Sequence, residues 1–187
     1  MEFPAFEDFE ILEDVPSKKV DLGHLYKAKN KKNNETVALL KIQKKSLKPE
    51  ELMPFEELKV LVTMLQHYNP EIPITHMVKV ICTKDTEEEF MIMYEDLGDR
   101  TINTLLSEQF DCTREEDFIA MVYEVAKSLK DLKNFNIAHK GIHPSNVFKV
   151  NGVFKLGLPH IVHDKEDRVE LNGDTYFYKA PDKRMST

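Results

Sequence analysis

The sequence predicts an α+β fold in two parts, a β-rich first half carrying one main helix and a helical second half. Three observations predict it. Thr36 to Ile42 (TVALLKI) and Phe90 to Tyr94 (FMIMY) are short apolar runs of the residue types that strands favour. Pro54 to His67 and Glu115 to Phe135 instead repeat apolar residues at helical spacing. Val147 to Val150 and Val153 to Leu156 are apolar runs joined by Asn151 and Gly152, a pair suited to a two-residue hairpin turn.

The chain has 187 residues, 41% hydrophobic and 32% charged, the composition of one globular domain or of one domain in two small lobes. Its N-terminus, MEFPAFEDFEILEDV, is acidic and has neither a basic leader nor a long apolar run, so no signal peptide and no membrane contact are expected. Cys82 and Cys112 lack metal-ligand spacing and fit a reducing compartment; each reads as a small packing residue or a bland surface thiol. No metal site is expected, and the location expected is cytoplasmic, with a cytoskeletal or ciliary assembly a suitable setting.

In the first half, Phe9 to Val15 and Leu22 to Ala28 read as strands one and two, with a loop between them. In the third strand, Thr36 to Ile42, the two-residue period puts Ala38 and Leu40 on one face and Lys41 on the other. The helix from Pro54 carries Leu58, Leu61, Val62 and Leu65 on one side. Met77 to Thr83 and Phe90 to Tyr94 are strands four and five, with an acidic turn from Lys84 to Glu89 between them. Met91 and Met93 suit core filling.

The second half opens with a short helix, Ile102 to Ser107. In the long helix, Phe118, Ile119, Met121, Val122, Val125, Ala126, Leu129 and Leu132 cover nearly half the circumference, and Tyr123 widens the arc. A helix that apolar is expected to be packed on more than one side.

Net charge is −7, yet Lys27 to Lys48 holds eight lysines against the single acid Glu35, a local +7 that leaves −14 on the remainder. One reading is a solvated strand edge kept soluble by lysine. The other is a contact, through Lys31, Lys32, Lys44 and Lys45, for a protein partner or large assembly with an acidic surface. Nucleic acid is disfavoured because no aromatics interleave with the lysines.

The stretch from Ile137 to His160, IAHKGIHPSNVFKVNGVFKLGLPH, resembles the catalytic loop and following hairpin of the protein kinase family. Where that family reads H-R-D-L-x-x-x-N, this chain has His139, Lys140, Gly141, Ile142, His143, Pro144, Ser145, Asn146. Where it carries D-F-G, this chain continues Gly157, Leu158, Pro159, with Leu158 at the metal position. Gly23 to Ala28 (GHLYKA) is similar to the end of the glycine-rich loop, with Lys18 and Val20 where two glycines belong. Val37 and Ala38 match the V-A of the V-A-I-K strand, which puts Leu40 at the lysine position, and Glu57 matches the helix glutamate that would pair with it. Glu57 is therefore expected to turn towards water or to pair elsewhere. Met93 matches the residue that gates the adenine pocket, and Tyr94 to Gly98 matches the hinge. Tyr178 to Asp182 (YKAPD) resembles the end of an activation segment.

The resemblance covers about Phe9 to Asp182 and implies a protein-kinase-like two-lobe fold with a truncated second lobe. It implies residues 1–8 as an extension, 9–98 as N-lobe and hinge, and 99–187 as the truncated helical C-lobe. It also implies loss of catalysis. Leu40, Gly141 and Leu158 cannot hold phosphate, accept a proton or bind a cation, and His139, Asn146 and Glu57 alone do not replace them. The expected function is a noncatalytic pseudokinase acting as a structural or scaffolding subunit, with no required cofactor. The alternative is a nucleotide-sensing pseudokinase that binds ATP weakly, through Gly23, Ala38, Met93, Tyr94, Glu95 and Asp96, and regulates a partner. An atypical active kinase using Asp164 or Asp167 ranks below both. Because the later kinase helices are missing from the resemblance, a partner is expected on the long helix, around Ile119 and Met121.

Overall fold

The computed structural model describes residues 5–158, except 14–16, 21, 67–75, 99–100, 108–114, 135 and 140. The YKAPD stretch and Asp164 and Asp167 lie outside the described residues.

Strands β1 (Phe9–Ile11), β2 (Lys18–Lys19), β3 (His24–Asn30), β4 (Thr36–Gln43), β5 (Val80–Asp85) and β6 (Glu89–Glu95) form one antiparallel sheet. Its order is β1-β3-β4-β6-β5, with β2 also paired to β3. Helix α1 (Pro49–Gln66) crosses it between β4 and β5, and α2 (Ile102–Ser107) and α3 (Glu115–Asn134) precede a separate hairpin of β7 (Val147–Val150) and β8 (Val153–Leu156). Asn151 and Gly152 both have positive φ, the turn conformation their identities suggested.

The expected elements recur with shifted ends. Helix α1 begins at Pro49 rather than Pro54, so Pro54 lies inside it. A proline early in a helix removes one bond, here to the carbonyl of Glu50, which stands at the exposed start of the helix. Of Met77 to Thr83, only the part from Val80 pairs with β6; Met77 instead bridges to Leu156 of the hairpin. Val78 N–H donates to Leu156 O at 2.9 Å, and Leu156 N–H to His76 O at 2.9 Å, joining the hairpin to the segment before β5.

The sheet has two apolar faces. On the inner one, Ala38, Leu40 and Ile42 of β4 share a cluster with Ile92 and Tyr94 of β6 and with Phe55, Leu58 and Val62 of α1. On the outer one, Ala28, Val37, Leu39, Cys82, Met91 and Met93 are covered by Phe6, Phe9 and Ile11. The stretch before residue 9, expected as an extension, thus contributes Phe6 to a core. Lys84 holds Glu7 at 3.2 Å and Lys32 holds Asp8 at 2.8 Å, pinning this N-terminal strap at both charges.

Among the described residues, helix α3 is packed along one side. Ala120, Met121, Val125 and Leu129 pack with buried Leu132 against Leu61, Met77 and Leu156, and Ser128 Oγ donates to His76 O at 2.7 Å. Phe118, Ile119, Val122 and Tyr123 are about half exposed or more. One arc in sequence is thus two faces in space, and among the described residues the second face is left open for a partner.

Candidate functional site

The candidate site lies where the inner sheet face meets the loop from Ile137 to Leu158. Register fixes the β4 side chains. Leu40 stands between Leu25 of β3 and Ile92 of β6, and the β4–β6 pairing runs unbroken from Val37 to Gln43. No bulge therefore turns Lys41 inwards. It lies on the outer face, its ammonium 5.6 Å from the centre of the Tyr26 ring. Leu40 is fully buried, in one apolar cluster with Val20, Leu22, Leu97, Phe148 and Leu158. Glu57, on α1, is half-buried and has an interaction of its own.

The glycine-loop stretch departs from a simple loop. Lys18 and Lys19 form β2 against Leu25 and His24, and Val20 N–H closes on Gly23 O at 2.9 Å. This turn drives Val20, 1% exposed, into the core. At Gly23 a Cβ would lie 2.1 Å from the Lys41 carbonyl oxygen, so close strand packing by itself requires this glycine.

In the second half, His143 starts a short helical turn, Pro144–Asn146, by accepting the Ser145 N–H on Nδ1 at 3.1 Å. His139 Nδ1 accepts the Gly141 N–H at 3.3 Å, which leaves Nε2 to donate to Gly157 O at 2.9 Å. The Asn146 side-chain amide donates to Gly141 O and to Leu158 O, each at 3.1 Å. With both amide hydrogens on carbonyls, the oxygen is fixed on the other side. There Asn146 Oδ1 is buried with no hydrogen-bond partner among the described residues, pressed on Gly157, where a Cβ would lie 1.9 Å away. His139, Gly141, Asn146, Gly157 and Leu158 thus form one hydrogen-bonded clasp, with Gly157 N–H donating to Asn146 O at 2.8 Å.

Met93 does not take the gating position expected of it. It pairs with Leu39 and sits in the outer cluster beside Cys82, because alternation along β6 sends it there. The β6 side chains that face Ala38 and Leu40 are Ile92 and Tyr94. Burial pushes the Tyr94 phenol far above its usual range. Glu95 N–H donates to Lys79 O at 3.0 Å, and the Glu95 carboxylate takes Lys155 of β8 on both oxygens, at 2.6 and 2.7 Å. Asp96 accepts the Gly98 N–H at 3.0 Å, with Gly98 at φ 63°. The Glu95–Lys155 clamp was not legible in the sequence, where 60 residues separate the two.

The residues expected at a partner surface are rearranged as well. Lys31 donates to Glu7 O, Lys32 pairs with Asp8, Lys44 with Asp85 at 2.5 Å and Lys45 with Glu88 at 3.6 Å. Lys31 and Lys32 follow β3, whereas Lys44 and Lys45 follow β4, so the length of β4, roughly 25 Å, separates the two pairs. Lys31 with Lys32 and Lys44 with Lys45 are therefore two separate pairs, each with acids of its own. Met121 faces the core and only Ile119 of that pair faces out.

The model of the protein kinase domain matches residues 21–183. The chain belongs to the protein kinase family. A cyclin-dependent kinase F-3 from Oryza sativa subsp. japonica is 23% identical over 163 residues, covering 86% of this chain and 35% of that protein. Among solved structures, Rad53 residues 1–466 in complex with AMP-PNP superposes with a TM-score of 0.65 at 15% identity, covering 82% of this chain and 38% of that one. The chain thus spans little more than a third of either relative. In the kinase frame, β1 to β6 with α1 form the N-lobe sheet and helix, and the clasp stands where the catalytic loop meets the metal-binding segment.

A nucleotide with magnesium is the group this family implies, and the described residues at its charge-bearing positions do not fit it. Leu40 and Leu158, 0% and 1% exposed, supply neither cation nor carboxylate at the two charge-bearing positions. Val20 and Leu22 occupy the same buried cluster, and Asn146 Oδ1 is turned onto Gly157.

Proposed function

We propose that this kinase-family chain is noncatalytic and acts as a structural or scaffolding subunit, working through its surfaces in a cytoplasmic setting. The observation that carries the reading is the shared apolar cluster of Leu40, Leu158, Val20 and Leu22. Phosphoryl transfer depends on preorganised charge around phosphate and metal. An apolar cluster at those positions opposes that charge, since burying an unpaired ion costs several kcal/mol. Gly141 offers no side chain to accept a proton, and His139 and Asn146 of the same loop are spent on the clasp.

A nucleotide-sensing role is the weaker reading. Adenine recognition at a hinge uses backbone groups, and here Glu95 N–H and Gly98 N–H already have partners. The test is a thermal melt with and without millimolar Mg·ATP. A ligand at 100 times its Kd adds about 2.7 kcal/mol to stability. No shift is expected; a clear shift would favour the sensing role, and incorporation of labelled phosphate into a protein substrate would overturn the noncatalytic reading altogether.

A further inference from the structure

We propose that the outward face of α3 pairs antiparallel with the same face of a second copy of this chain. The proposal goes beyond the noncatalytic reading and does not depend on it. Phe118, Ile119, Val122 and Tyr123 are 59%, 57%, 49% and 57% exposed, and at helical spacing they form one contiguous stripe. The charges along that stripe are segregated. Exposed Glu115 and Glu116 precede the apolar stretch, and exposed Lys127, Lys130 and Lys133 follow it.

The helix dipole accounts for only part of this pattern. It favours acids in the first turn and Lys133 in the last. Lys127 and Lys130 lie before the last turn, outside its reach. An isologous contact accounts for Lys130 as well, while Lys127 also lies 4.7 Å from the centre of the Tyr123 ring on its own helix. With a two-fold axis between Val122 and Tyr123, Glu115 of one copy stands opposite Lys130 of the other, and Ile119 opposite Ala126, each contact occurring twice. A parallel pair would instead put acid on acid and lysine on lysine. A single helix face buries less than the roughly 800 Å² per partner of a standard interface, so the dimer is weak.

The experiment is sedimentation equilibrium of the 187-residue chain over a broad concentration series, at low and high salt. Self-association that weakens with salt is expected. Two variants then fix the geometry: Glu115→Lys with Glu116→Lys, and Lys127→Glu with Lys130→Glu. Each alone should self-associate about tenfold more weakly, and an equimolar mixture should recover wild-type affinity, because each basic end then meets an acidic one. A wild-type chain that stays monomeric throughout overturns the proposal. So does a dimer indifferent to both variants, or a mixture that fails to recover. Far-UV circular dichroism checks that the variants fold, and the wild-type concentration and salt series stands without them.

Discussion

The side-chain amide of Asn146 donates to the backbone carbonyl of Leu158 across 3.1 Å. In the kinase frame these are the positions of two metal ligands, and here they are tied to each other as donor and main-chain acceptor. Restoring one carboxylate therefore does not restore a site. Leu158→Asp is expected to destabilise the fold by about 3 kcal/mol or more, because the new carboxylate is buried among Leu40, Val20 and Phe148. It should leave magnesium binding undetectable by calorimetry; tight, stoichiometric binding with the fold intact would refute this.

Leu40→Lys follows the same logic on the sheet. The lysine regains its family position, but in a cluster where Leu158 supplies no carboxylate and with its family partner, Glu57, already in an interaction of its own. The expected result is a loss of about 3 kcal/mol or more and no micromolar ATP affinity in calorimetry. Recovery of stability on adding nucleotide to the variant would contradict it.

Gly157→Ala tests the clasp by sterics alone. An added Cβ would lie 1.9 Å from Asn146 Oδ1 and 3.0 Å from a Phe148 ring carbon, so the clasp must open or shift. A loss of about 2–3 kcal/mol is expected in urea denaturation. In the double variant with Asn146→Ala the opposing oxygen is gone, and the two losses should be clearly less than additive. Additive losses would mean that the clash is relieved elsewhere.

Strand faces were legible in the sequence, down to Lys41 lying opposite Leu40, because a two-residue period fixes every side chain once one is fixed. The same rule corrects Met93, whose family position was read by motif alignment while its alternation with Tyr94 already sent it to the outer face. The reach of the long helix was not legible. Periodicity reports which residues are apolar but not how many neighbours meet them, and so it merged core-facing Met121 with exposed Ile119. The pairing of the lysines was not legible for a related reason: charge counted along the chain ignores acids that folding brings in, such as Asp85 beside both Lys44 and Lys59. The clasp was half legible, since its residues were named by the resemblance, but hydrogen bonds at separations such as that of His139 and Gly157 have no local signature.

Asp85 sets a pH dependence with a definite sign. Hydrogen bonds from Lys44 and Lys59 hold its carboxyl below the ordinary value of 3.8. Its contribution is therefore present above the unfolded-state value and lost as pH falls through the lower folded-state value. The carboxylate is 43% exposed, so screening by water limits the contribution to about 0.5 kcal/mol. Asp85→Asn should flatten stability against pH below about 4 and change little at neutrality beyond that amount; an unaltered acid limb would assign the effect to other carboxylates.

The N-terminal strap is expected to guard the Cys82 thiol. Cys82 is 5% exposed in the cluster that Phe6, Phe9 and Ile11 cover. Burial, assisted by the nearby charge of Glu7, pushes its pKa up to about 11. At pH 8 the thiolate fraction is then about one in a thousand, and access is blocked as well. Alkylation in a Cys112→Ser background should accordingly be slow. Phe9→Ala removes a large part of the cover, with a cost of about 2–4 kcal/mol for a partly buried aromatic, and it admits water to the thiol. Both effects act in the same direction, so the alkylation rate should rise about tenfold or more. Lys84→Ala removes only an exposed pin on Glu7, and its effect should be small. Equal rates in the native and Phe9→Ala chains, measured well below the melting temperature, would mean that the strap does not cover this face in solution.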